Sequence, residues 1–384
     1  MKKLAIIGGG VMASYFGEAC HRLGYEGNYF SMADGKVADN KIDVFHEINI
    51  FDKDGIVEIC KRIGVDGVVA TTELSIPITA YVADKLGLLG NPVSVSEMIT
   101  DKYRNRECVK FLDDLLSPKY VKAASVGDIK NANIPYPIIL KPVCLGGKRG
   151  ISVVNNEGEL SAAFEYAANS LRKDVQPLVI AEQYLDGGLE CSVESISFKG
   201  QHTIVQITQK DSSGAPHCVE LGHHQPAPLS SEIWDKVVKG VSSGLTAIGI
   251  ENGPCHTEIK IIDGKVYLIE FNARPGGDHI WWPMVELSTG FDIIAAVAQV
   301  AMGDLQPIDT KAFKHSYSGL YYVVKQTECL KEIFDICEKE PWCWEKNFIS
   351  NDLEELKQND MEHTNYIIYS SEIGDPVEKL LKGY

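Results

Sequence analysis

Residues 265–282 read KVYLIEFNARPGGDHIWW. The segment starts as a buried strand, with Val266, Leu268 and Phe271 set around Tyr267 and Ile269. Glu270, Asn272 and Arg274 then follow at two-residue spacing, and residues two apart on a strand share a face. One face therefore carries a carboxylate, an amide and a guanidinium in a row, closed by the Pro275-Gly276-Gly277 break. A sheet face turned to an apolar core does not carry that set.

The preceding run, CHTEIKIIDG, adds Glu258 and ends in Asp263-Gly264, a hairpin-turn dipeptide. A regular two-residue turn pairs Ile262 with Lys265 and sets Glu258 opposite Ile269, on the other face from Glu270. Both carboxylates reach one site only if the register gains a residue, as in a three-residue loop with a bulge, and that irregularity is expected. Carboxylate and amide oxygens are hard ligands, suited to Mg²⁺ or Mn²⁺, so Glu258, Glu270 and Asn272 are candidate ligands for one or two such ions. The plainer alternative is a solvated face with a salt bridge to Arg274, which fits poorly with the apolar flanks and the glycine break.

Two further clusters share this chain. In LKPVCLGGKRG, Lys141 stands at a strand end before Gly146, Gly147, Lys148, Arg149 and Gly150. Glycines let backbone N–H groups approach phosphate oxygens, and the cations add charge. The spacing is not that of a Walker loop, and alone it reads equally well as a basic hairpin tip. In AEQYLDGGLE, a strand end and Asp186-Gly187-Gly188 form a hinge able to offer backbone groups to a purine, with Glu190 placed for ribose hydroxyls.

A third glycine group lies at the start. Gly8-Gly9-Gly10-Val11-Met12-Ala13 fits G-x-G-x-x-A, with Asp34 where an acidic ribose partner would sit. That admits an NAD-dependent redox enzyme or a nucleotide-binding sensor. The same glycines also serve merely to let a helix pack close to a strand.

The bulk properties narrow the classes. The 384 residues carry a formal net charge of −16, which argues against a general basic surface for nucleic acid. Ten cysteines lack a Cys-x-x-Cys pair and read as reduced thiols, consistent with a cytoplasmic protein. The opening MKKLAIIGGG is broken by glycine too early for a signal peptide, and no apolar run has the length of a membrane span. Strand and helix patterns alternate through the first ninety or so residues, which predicts a parallel open sheet. A helix capped by Ser96 is expected over SEMITDKYRNRECVKFLDD.

Taken in order, the clusters resemble the ATP-grasp superfamily, and E-F-N-A-R-P-G-G is the most specific part. The nearest likeness is to L-amino acid ligases and similar carboxylate–amine ligases, carried by GPCHTEIKIIDGKVYLIEFNARPGGDHI and ELGHHQPAPL. The resemblance implies an α/β chain with the ATP-grasp fold: a Rossmann-like open sheet over residues 1–95, an ATP-grasp domain over 96–305 with an α+β lid at about 118–183 and an antiparallel-sheet C-terminal subdomain, and a small C-terminal α+β unit over 306–384. It assigns Lys102 and Lys141 to phosphate, and Gly146, Gly147 and Gly150 to the lid loop. Glu182, Gln183, Tyr184 and Leu185 become the adenine hinge, and Glu190 the ribose contact. Glu258, Glu270 and Asn272 become ligands for two Mg²⁺ (or Mn²⁺) ions, and Arg274 the stabiliser of the tetrahedral intermediate. The implied activity is an ATP-dependent ligase joining a small carboxylate, such as an amino acid, to an amine through an acyl phosphate, with ADP and phosphate released. The rival within the class is a carboxylase or purine-pathway ligase activating a small acid. Cys144, Leu145 and Lys148 depart from the Gly/Ser-rich loop of relatives. Candidates to line the substrate site are one of His223 and His224, together with His256, Asp278 and the Trp281-Trp282 pair; the plainer readings are a loop or packing role for the histidine pair, a bond within the sheet for His256 and core packing for the tryptophans. No dimer interface is legible, so a homodimer stays open.

Overall fold

Three sheets organise the chain in this computed structural model, which describes residues 1–33, 41–144, 149–171, 178–214, 219–357 and 361–377. The first contains β1 (Lys3–Ile7), β2 (Glu26–Ser31), β3 (Val44–Glu47) and β4 (Gly67–Ala70), in the order β3-β2-β1-β4 and parallel throughout. Helices α1 (Val11–Leu23), α2 (Lys53–Ile63) and α3 (Ile76–Leu86) cover it. This is the expected open sheet. Its edge strand β3 escaped the sequence pattern because Val44 and Phe45 are both exposed and show no buried alternation.

The segment from Ser96 differs from expectation. It is two helices, α4 (Val93–Ile99) and α5 (Lys102–Val109), rather than one. Ser96 lies inside α4, its hydroxyl bonded back to Val93 O at 2.7 Å. The effective cap is Asp101, whose carboxylate accepts the Arg104 N–H at 3.0 Å and starts α5 at Lys102.

The second sheet is antiparallel, in the order β5-β8-β6-β7, from β5 (Tyr120–Ala123), β6 (Ile138–Pro142), β7 (Ser152–Val154) and β8 (Val179–Gln183). Ile138, Leu140, Val154, Val179 and Ala181 bury one of its faces against the helix Leu160–Asn169.

The third sheet has eight strands: β9 (Leu189–Phe198), β10 (Gln201–Ser212), β11 (Glu220–Gln225), β12 (Gly253–Ile262), β13 (Lys265–Asn272), β14 (Tyr317–Tyr322), β15 (Cys343–Asn347) and β16 (Tyr366–Ser371). Their order is β13-β12-β9-β10-β11-β14-β16-β15, so the strands beyond residue 306 extend this sheet through β11 and β14. Cys191, Val193, Ile207, Ile259, Leu268 and Phe271 turn one face to the helix Ser231–Ile248. A Cβ at Gly244 of that helix would sit 2.7 Å from the Phe271 ring, so only glycine permits the approach. The opposite face of the same strands carries polar residues, many of them buried.

Candidate active site

Asp263 and Gly264 take φ of 49° and 71°, the left-handed pair of a two-residue hairpin turn. Ile262 faces Lys265 and Ile259 faces Leu268; Ile269 is then passed over, and Glu258 faces Glu270. The expected irregularity is present, as a bulge within β13 rather than as a longer loop. It puts both carboxylates on one face, with His256 facing Asn272 on the next pair.

Each of these half-buried carboxylates has a cation. The Lys102 ammonium lies 3.1 Å from Glu270, and the Lys210 ammonium lies 2.7 Å from Glu258 and 2.8 Å from Glu220. The Asn272 amide donates to Glu270 at 3.1 Å. His256 stands between Glu194, at 2.9 Å, and Glu258, at 3.5 Å, and the Trp281 indole N–H donates to Glu194. Burial alone would raise the Glu258 carboxyl, yet Lys210 and His256 hold it well below its ordinary value. Glu270 is likewise lowered by Lys102 against burial. This is the condition under which buried charge is tolerated: paired and hydrogen-bonded.

The helix break aims Lys102. Asn105, fully buried, donates its side-chain amide to Met98 O, Ile99 O and Asp101 O, and accepts the Phe271 N–H at 3.0 Å. One side chain thus ties the α4–α5 junction to β13 between Glu270 and Asn272. The Lys102 N–H in turn bonds Val143 O at 3.0 Å, beside the end of β6.

A second buried cluster joins β6, β8 and α5. Glu182 accepts from Lys141 at 2.8 Å and from the Arg106 Nε–H, and all three are nearly sealed from solvent. Burial raises the Glu182 carboxyl, but Arg106 and Lys141 outweigh it and hold it at about 2. The Gln183 and Tyr184 N–H groups are spent on Lys119 O and Pro137 O, at 2.8 and 3.1 Å. Leu185 follows them at the strand end, and Glu190 is the second residue of β9, opposite Lys260. Gly150 takes φ of 71°, and a Cβ there would sit 2.8 Å from the Pro142 ring, so packing as well as turn geometry requires glycine. Cys144 is exposed. Gly146 and Gly147 lie outside the described residues, as do Leu145, Lys148 and Asp34.

The loop after β13 closes a third group. One donor atom each from Glu220, His223 and Asp278 lies within 4.8 Å of the others. His223 is fully buried and neither ring nitrogen has a hydrogen-bond partner among the described residues; burial lowers its pKa against the pull of Glu220 and Asp278. Asp278 and His279 both take positive φ, 49° and 60°, a strained pairing for residues with side chains. His224 points the other way, its Nδ1 2.9 Å from the Tyr321 hydroxyl. Trp281 is core, while Trp282 packs between Tyr15 and Trp344 at centroid distances of 4.3 and 5.6 Å. Arg274 is half-buried just past the strand end, one guanidinium nitrogen 2.7 Å from Pro275 O.

Sequence reading missed Glu73, Lys210, Glu194, Arg106 and Asn105. Glu73 follows β4, and its carboxyl is raised by burial and by Glu270 while Lys102 and Arg274 oppose, so the first sheet contributes a carboxylate to the same cleft. Its pattern gave no hint, because the approach is tertiary. Lys210 did carry a weak signal: with Gln206 and Thr208 it makes a polar row at strand spacing, set off by Val205 and Ile207 on the other face.

Comparison with known proteins agrees with this architecture. Residues 134–281 match the family model for the ATP-grasp domain. The alanine–anticapsin ligase of Bacillus subtilis is 27% identical over 256 residues, covering 60% of this chain and 52% of that protein. The formate-dependent phosphoribosylglycinamide formyltransferase of Bacteroides fragilis is 26% identical over 301 residues, 72% of this chain and 71% of the other. The chain spans about half the length of the first of these relatives. The crystal structure of an L-amino acid ligase from Bacillus licheniformis shares the fold, with a TM-score of 0.84 and 24% identity over 100% of this chain and 97% of that one. No single described helix is long and apolar enough to cross a membrane.

Proposed function

We propose that this chain, which carries an ATP-grasp domain, is an ATP-dependent carboxylate–amine ligase acting on an amino acid. The observation that carries the reading is the bulge-aligned pair Glu258 and Glu270, flanked by Lys102 and Lys210 and facing the acceptor group of Glu220, His223 and Asp278. Three acceptors around one point suit the three N–H bonds of an ammonium, as an amino acid supplies and formate does not.

The donor set fits Mg²⁺ or Mn²⁺: two carboxylates and an amide, all hard, converging on one face. Glu258, Glu270 and Asn272 would hold the metal, and bound there it would neutralise phosphate charge during transfer. Lys141 and Lys102 bind and orient the phosphates of ATP, and Glu182 to Leu185 with Glu190 receive the nucleoside. Because two hinge N–H groups are already spent, base contacts fall to the hinge carbonyls and to Leu185. The substrate carboxylate attacks the γ-phosphorus; an acyl phosphate and ADP result. The amine then attacks the acyl carbon and phosphate departs. Arg274, which keeps its proton, stabilises the oxyanion of that second step. Gly146, Gly147 and Gly150 belong to the loop that keeps water from the acyl phosphate.

The test is a matrix of amino-acid pairs screened for ADP release, with products read by mass spectrometry. An amide product with matching ADP is expected. ADP release that needs formate or bicarbonate instead would move the chain to the small-acid branch of the fold.

A further inference from the structure

Resting on the reading that this cleft binds an adenine nucleotide, we propose that Arg106 is the standing counter-ion of Glu182, the group that lets Lys141 leave that carboxylate for the nucleotide's phosphates.

The cluster holds three charges. Glu182 is 1% exposed; Arg106 is 1% exposed; Lys141 is 8% exposed. One oxygen of Glu182 takes the Arg106 Nε–H and the other takes Lys141, at 2.8 Å. Lys141 therefore rests on a carboxylate rather than reaching freely for phosphate. If it had to abandon Glu182 with nothing else present, a buried carboxylate would be left bare, which is costly. Arg106 removes that obstacle. It keeps its hold through Nε, and its Nη1 is buried with no acceptor among the described residues. The guanidinium is a fork with donors to spare, able to take both oxygens of one carboxylate. When Lys141 turns to phosphate, Arg106 can cover the oxygen it leaves. The net charge of the cluster is then +1 before binding, and that surplus is what a polyphosphate meets.

Position supports the assignment. Arg106 is one turn beyond Lys102 on α5, and residues four apart share a helix face. The helix that presents one proposed phosphate lysine thus also carries the counter-ion of the other. Arg106 touches no reacting atom here; it is a positioning residue.

The experiment measures MgADP binding by calorimetry for the wild type, Arg106→Met, Arg106→Lys and the double variant Arg106→Met/Glu182→Gln. Arg106→Met should raise the ADP dissociation constant by about tenfold or more, because Lys141 is then wholly committed to Glu182. Arg106→Lys fills similar space, guards against misfolding of the Met variant, and should recover part of the loss. The double variant removes the carboxylate that traps Lys141, so it should bind ADP more tightly than Arg106→Met alone. A purely structural role predicts the opposite, since two changes in one buried cluster would do more damage than one. Unchanged affinity in Arg106→Met, or a double variant no better than the single, overturns the inference while leaving the ligase reading intact. Absence of ADP binding by the wild type overturns the ligase reading and this inference with it.

Discussion

Two glycine-bearing turns in this chain look alike on paper and differ in space. The first, Gly8 to Gly10, follows β1; the second, Pro275 to Gly277, follows β13. At the first, the room is used by the protein itself. Gly8 has φ of 118°, and a Cβ there would sit 2.5 Å from the Thr71 hydroxyl; its N–H is spent on Phe30 O, and Thr71 donates to Gly9 O at 3.1 Å. Within α1, a Cβ on Gly17 would strike Lys41 O at 1.8 Å. These glycines let elements close on one another. Around the second turn the room faces the site: a Cβ on Gly276 would sit 2.6 Å from His256 Nδ1 and 2.7 Å from the Trp281 ring, Gly277 has open space, and Arg274 and Asp278 flank the pair. A glycine motif says that backbone comes close to something; what it comes close to has to be read from the side chains around it.

That contrast can be broken most decisively at the hairpin. Glu270→Ala should lower ADP release by about a thousandfold or more while the fold persists, since Glu270 is proposed to hold metal rather than core. Near-normal turnover at modest Mg²⁺ would remove it from the site. Ligand preference gives the next largest effect. MgADP at a hundredfold excess over its dissociation constant should stabilise the protein by about 2.7 kcal/mol, seen as a melting shift of a few degrees, and NADH should give none. The reverse order would return the first turn to dinucleotide binding. At that turn, Gly8→Ala should cost about 1–3 kcal/mol in urea unfolding through its strained backbone, with ADP affinity unchanged. Loss of ADP affinity without loss of stability would contradict the packing role.

The smallest effect is a change of slope with pH. Glu182 titrates at about 2 when folded, below the ordinary value of 4.5, so the unfolded chain binds more protons between the two. Its stabilisation is complete above about pH 4.5 and is lost as pH falls towards 2. Glu182→Gln should be less stable than wild type at pH 6, and the gap should close over that acid window. A constant gap down to pH 2 would show that the carboxylate does not carry the cluster.

Much of this was legible in the sequence, and the physical reasons are specific. The eight residues of β13 announce both strand and site because apolar Val266 and Leu268 give way, at the same two-residue spacing, to Glu270 and Asn272. Even the bulge left a trace: the apolar positions run 266, 268, 271, a change of parity that only an unpaired residue explains. The α4–α5 break was hidden because Ser96 is itself a good cap residue and Asp101 looks like any acid on a helix surface. Arg106 and Asn105 lie in a polar helix whose burial depends on what packs over it. Glu73 was out of reach altogether, since it enters the cleft from another sheet.

The bulge at Ile269 also sets a rule of counting. Side chains on a strand answer to number, and this hairpin reaches its working arrangement by holding one residue out of the count. Ile269 is only half-buried, so its identity can drift. What has to hold is that it stays unpaired. Were Ile269 to slip into the ladder opposite Glu258, every backbone pair would be in step and Glu270 would turn to the core face, away from Glu258. In a lineage that inherits this segment, the trait to keep is therefore the match of Glu258 with Glu270, which the bulge maintains and which outright loss of Ile269 would also maintain, rather than the letter at position 269.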